Sequence, residues 1–103
     1  MTKKKVFISG RMSGLSEEEF NRRFRKAEFY LWCNGYTIVN PCTFTTMFDK
    51  VGYSYAEALV FDLNVISHCD AIYMLSNWGE SKGAAVEKAF AEALGKEVLY
   101  EKE

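Results

Sequence analysis

Val6-Phe7-Ile8-Ser9-Gly10 sets three apolar residues directly ahead of a turn pair, the form of a short buried strand that runs into a loop. Downstream, Ser16-Glu17-Glu18-Glu19 has the form of a capping box, in which the Ser16 hydroxyl takes one free N–H and Glu19 reaches back. A helix starts there. Phe20, Phe24, Ala27 and Leu31 recur at helical spacing, Arg22, Arg23 and Lys26 fall off that stripe, and Asn34-Gly35 supplies a stop. Tyr36-Thr37-Ile38-Val39 reads as a second strand ended by Asn40-Pro41. Residues 42–53 show no clear period and read as a loop, with room for a short turn of helix and a length that hints at function. From Tyr55 to His68, the positions Tyr55, Ala58, Leu59, Val65 and Ile66 form one apolar helical stripe. Asp70 to Leu75 is a third strand, Ser76 to Glu80 a loop, Ser81 to Leu94 a third helix stopped by Gly95, and Glu97 to Tyr100 a fourth strand.

Strand and helix alternate throughout, which predicts the α/β class: a mostly parallel four-stranded sheet in a three-layer α/β/α sandwich. A strand order of 2-1-3-4, as in flavodoxin-like folds, puts the first helix on one face and the next two on the other. The switch point then lies between strands one and three. Their following loops, Ser9 to Leu15 and Ser76 to Ser81, meet there and are the place to look for a ligand.

With 103 residues the chain has room for one domain, 1–103, and none for a cleft between two lobes. Thirteen basic against fourteen acidic side chains argue against capture of a nucleic-acid polymer. The balance is uneven, since residues 1–26 carry eight basic and three acidic side chains, so an anion site belongs near the N-terminal part. Cys33, Cys42 and Cys69 are odd in number and lack metal-type spacing. The N-terminal run is too short for a signal peptide and no stretch is long enough for a bilayer, so the expectation is a soluble cytoplasmic protein with no membrane partner, no metal and no cofactor. Sixteen aromatic residues exceed what so small a core easily encloses, which predicts rings lining a pocket or a subunit contact and hence a homo-oligomer.

Several residues could carry chemistry. In the first loop, Ser9, Gly10, Arg11, Ser13 and Gly14 combine small residues, hydroxyls and a fixed positive charge that can hold an anion, although a tight turn with a surface arginine has the same form. In the second loop, Ser81 can cap a helix whose first turn, Lys82 and Gly83, suits an anion. Trp78 could stack on a flat ligand or cover a core edge, and Asn77 could read polar edges or make an Asx turn. Glu87 lies one turn beyond Gly83, so its carboxylate aims over a position with no side chain, where a substrate would find space. Alone it reads as a surface glutamate. Asp62, however, interrupts the apolar stripe of the second helix, where an acid is costly unless used. Adjacent second and third helices bring Asp62 and Glu87 to one pocket, where paired carboxyls can divide into an acid and an anion. Asp70, at the opposite end of the sheet, and His68, in a helix's last turn, take structural roles, and adjacency in sequence keeps Cys69 from pairing with His68.

These residues carry a resemblance to the nucleoside 2-deoxyribosyltransferase-like superfamily, through a small bacterial and phage family within it. It spans nearly the whole chain and rests on Val6 to Gly10 with Arg11 and Gly14, on Asp62-Leu63-Asn64 ahead of Cys69 to Ile72, and on Ser81-x-Gly83-x-x-x-Glu87-x-Ala89. The resemblance implies that Glu87 attacks or stabilises the sugar anomeric carbon and that Asp62 assists the departing base. Ser81 stands where the transferases carry an aspartate, as in the similar 2′-deoxynucleoside 5′-phosphate N-hydrolases, whose serine helps bind phosphate. The chain ends at Glu103, without the extension through which transferase subunits complete a neighbour's site. The expectation is an N-glycosidase acting on a nucleotide or nucleoside, hydrolysing rather than transferring. Its rival is a non-catalytic nucleotide-binding module on the same fold.

Overall fold

In the computed structural model, which describes residues 3–102, strands β1 (Lys5–Ser9), β2 (Thr37–Val39), β3 (Ala71–Met74) and β4 (Glu97–Tyr100) form one sheet. Residues 1, 2 and 103 of the expected domain lie outside the described residues. The order is β2-β1-β3-β4 and all three pairings are parallel. In β1–β3 the register sets Val6 opposite Ala71 and Ser9 opposite Met74, so the two central strands end level, and both are buried almost throughout. That accounts for their uninterrupted apolar sequences, since a central strand covered on both faces has no side for polar residues.

Helix α1 (Glu17–Cys33) covers one face and α3 (Tyr55–Ser67) with α4 (Lys82–Ala93) the other. Strand alternation divides the core accordingly. Val6, Ile8, Ala71 and Tyr73 pack on Phe24, Ala27 and Leu31 of α1. Phe7, Ile72 and Met74 pack on Ile66, Ala84 and Ala91 of α3 and α4. Among the described residues, no helix is long and apolar enough to cross a membrane.

Ser16 caps α1 by accepting from the Glu19 N–H at 3.1 Å, but the expected return bond is absent because the Glu19 carboxylate instead reaches Arg23, one turn on, at 3.5 Å. The complete capping box sits on α3, where Ser54 Oγ accepts from the Glu57 N–H at 3.1 Å and the Ser54 N–H donates to Glu57 at 2.9 Å.

The largest departure from expectation is residues 42–53, which hold the ten-residue helix α2 (Cys42–Val51). Phe44, Met47, Phe48 and Val51 do recur at helical spacing, but Thr43, Thr45, Thr46 and Asp49 around them weaken the pattern. Packing overrides that propensity: Phe44 and Phe48 each meet the Phe61 ring of α3 edge-on with centroids 5.2 Å apart, and Phe48 stacks on Tyr53 at 5.6 Å. Gly52, at φ 74°, takes the left-handed turn that ends the helix. The α3 stripe is also less buried than expected. Only Ile66 is fully enclosed, and Tyr55 is 62% exposed.

Candidate active site at the carboxyl ends of the strands

A cavity of about 360 Å³ opens where β1 and β3 end. Its floor is acidic. Asp62, from the middle of α3, and Glu87, from the second turn of α4, both line it. Glu87 is only 7% exposed, and its Oε1 accepts a 2.6 Å hydrogen bond from Ser9 Oγ, which is itself buried at the end of β1. The alternation of β1 explains this contact, because Ser9 shares the face of Phe7, which packs toward α3 and α4. Asp62 Oδ1 is buried with no hydrogen-bond partner in the protein.

Burial raises both acids above the ordinary carboxylate range, by disfavouring the charged forms. For Glu87 the Ser9 hydroxyl acts in the opposite direction, and the charge and hydrogen bonding of Asp62 raise it further. The two carboxyls therefore behave as a unit that retains a proton near neutral pH; Glu87, pushed up to about 8, holds it more tightly than Asp62, raised to about 6, and the Ser9 bond works against that order. Such a unit offers an acid and an anion side by side, facing the same space.

Gly10, Ser13, Ser81 and Gly83 also line the cavity. Ser81 is the N-cap of α4, its Oγ accepting from the Ala84 N–H at 3.1 Å, and the first turn of α4 holds no acidic residue. A Cβ at Gly10 would come within 2.6–2.9 Å of the buried Leu75 side chain, so this glycine is required by packing. The space expected above Gly83 is taken by the hydroxyl of Tyr55, which lies 2.6 Å from where a Cβ on Gly83 would stand.

Five residues expected to contact a ligand do not line the cavity, Ser9 among them because its hydroxyl is taken up by Glu87. The Arg11 guanidinium does not line the cavity; it donates to the Ser13 carbonyl and to Glu80, each at 2.9 Å. Gly14 turns at φ 84° beside that guanidinium. Asn77 Oδ1 accepts from the Arg11 N–H at 3.2 Å, clasping the two switch-point loops together. Trp78 belongs to the core on the α4 face, with Tyr100 at 6.4 Å and the Lys88 ammonium 5.3 Å from its ring centre. These contacts take up Arg11 Nε and Nη1 and Asn77 Oδ1 within the protein.

The roof holds residues that the sequence reading did not single out. Thr45, Phe48 and Asp49 come from α2, Tyr53 and Ser54 from the turn after it, and Tyr55 from the start of α3. The Phe44–Met47–Phe48–Val51 stripe was the available signal, since it predicts a helix and hence one face turned inward. No Lys, Arg or His lines the cavity among the described residues, nor do these include a His, Cys, Asp and Glu cluster fit for a metal ion.

Residues 4–100 match a domain of unknown function, DUF4406. The chain belongs to that family. The match extends from the start of β1 to the end of β4, so the sheet and every cavity-lining residue fall inside it. No curated protein matches the chain.

Proposed function

We propose that the protein is an N-glycosidase that cleaves the base–sugar bond of a nucleoside or nucleotide by hydrolysis. The observation that carries this reading is the pair of carboxyl groups, a buried Glu87 and a half-buried Asp62 from two different helices, on the floor of one ligand-sized cavity. A structural role leaves the pair unexplained, because burying two acids together destabilises the fold and neither is neutralised by a cation. The resemblance to the nucleoside 2-deoxyribosyltransferase-like superfamily supports the same assignment of roles.

In the first step the proton that the pair holds on Glu87 shifts to Asp62, the Glu87 carboxylate so freed bonds to the anomeric carbon as the C–N bond breaks, and the proton passes from Asp62 to the leaving nitrogen of the base. In the second, water attacks the anomeric carbon, its proton returns to Asp62, and the sugar–Glu87 ester bond breaks to restore the carboxylate. The products are free base and free sugar, or sugar phosphate where the substrate is a nucleotide. Ser9 holds the Glu87 carboxylate in place and favours its ionised form. Phe48 and Tyr53 offer flat faces to a base.

Incubation with a panel of nucleosides and 5′-nucleotides, followed by chromatography, tests the reading. Free base is expected from wild type and loss of about a thousandfold or more in rate from Glu87→Gln. Undiminished release from that variant overturns the mechanism. Tight binding of a ligand that stays intact for hours establishes the binding-module alternative instead.

A further inference from the structure

We infer that Asp49 and Tyr55 make this cavity selective against a 5′-phosphate, so that the preferred substrate is an uncharged nucleoside; this rests on the glycosidase reading and narrows it. Three carboxyl groups, Asp49, Asp62 and Glu87, line the cavity, and no cationic side chain does among the described residues. The nearest candidates to offset a phosphate are unsuited to it. Arg11 is held by Glu80 and the Ser13 carbonyl, and Lys82 projects from α4 without lining the cavity. A dianionic phosphate entering here meets like charge and no counter-charge, at distances where the repulsion is felt through a protein's effective dielectric.

A second, independent feature acts in the same direction. The first turn of α4, an anion-receptive element at the cavity, is partly covered. Tyr55 Oη lies 2.6 Å from the Cβ position of Gly83, and Ser81 Oγ is 3.9 Å from that same point. The phenol thus occupies the space in front of the cap, where a phosphate would have to sit. A neutral sugar hydroxyl needs only one hydrogen-bond partner, and Tyr55 Oη or Ser81 Oγ can supply it. The same excess of negative charge favours the reaction, because the glycosyl group becomes cationic as the base departs.

The test compares 2′-deoxynucleosides and ribonucleosides with their 5′-monophosphates for wild type, Asp49→Asn and Tyr55→Phe, measuring base release and, by calorimetry, binding. Wild type is expected to favour nucleosides over monophosphates by at least about tenfold in kcat/KM and in affinity. Asp49→Asn is expected to narrow that ratio severalfold by improving the monophosphates, and Tyr55→Phe to narrow it less, since only the hydroxyl is removed. Equal or better use of monophosphates by wild type overturns the inference, as does a ratio indifferent to Asp49→Asn. Binding of nucleosides without base release removes the glycosidase reading and leaves the selectivity standing. Failure to bind either class removes both.

Discussion

The two ends of the sheet treat their acids in opposite ways. At the amino ends of the strands, Asp70 is exposed and accepts from the Lys5 N–H at 2.8 Å, while the Asp70 N–H donates to the Lys5 carbonyl at the same distance. That carboxylate completes the backbone ladder between β1 and β3 and stays in water. At the carboxyl ends, Glu87 and Asp62 are withdrawn from water and set against each other, with Ser9 as the one neutral donor to the pair. An acid that serves the fold finds a backbone N–H. Acids that bury one another destabilise the fold and call for another explanation.

Breaking the comparison at its strong end gives the largest effect. Asp62→Asn keeps the shape but removes the transferable proton, and is expected to slow base release about a hundred- to ten-thousandfold, while Asp70→Ala leaves the rate near that of wild type. Comparable losses from the two substitutions, measured under conditions where both are folded, defeat the distinction.

Stability against pH sharpens it. Both buried acids have raised values in the folded state, so the native protein binds more protons than the unfolded chain between the ordinary carboxylate range and about 8. Their contribution is fully present below about pH 4 and is lost as pH rises through the folded values. Denaturant titrations are expected to show wild type losing on the order of 3 kcal/mol between pH 5 and 9 relative to a Glu87→Gln, Asp62→Asn double variant, whose curve is flatter. A wild-type curve parallel to that of the double variant contradicts the buried pair.

Two glycines at the cavity separate packing from space. Gly10→Ala forces a methyl group into the enclosed Leu75 side chain and is expected to cost about 1–3 kcal/mol in unfolding free energy. Gly83→Ala meets the hydroxyl at the far end of the exposed Tyr55 side chain, and the gain in helix propensity offsets that contact, so stability is expected to change by less than about 1 kcal/mol. Equal costs at both sites place Tyr55 in a rigid wall.

The architecture was legible because the strand signals are local and strong. Val6 to Ile8 and Ala71 to Leu75 are unbroken apolar runs, and alternation with helices leaves few topologies once crossovers are right-handed. The acids were legible for a related reason: a carboxylate inside an apolar stripe, as at Asp62, conflicts with its surroundings and advertises itself. Arg11, Asn77 and Trp78 meet partners that the sequence does not name, because residue type gives chemical capacity without saying which partner takes it up. Glu80, the Arg11 backbone and Tyr100 are those partners, and nothing in the spacing names them. Asp49 escaped notice because α2 depends on ring packing against Phe61, a tertiary contact that overrides the weak helix propensity of its threonines, and Tyr55 because in the sequence it counts only as a member of the apolar stripe of α3.

Helix α2 contributes no fully buried side chain, yet it supplies Thr45, Phe48 and Asp49 to the cavity. An element anchored mainly through two aromatic rings unfastens at lower free energy than the sheet beneath it. Exchange of any ligand can therefore proceed by local opening of this one segment while α3 and α4 keep the acidic floor on the sheet, which makes access to the cavity and global unfolding separate events.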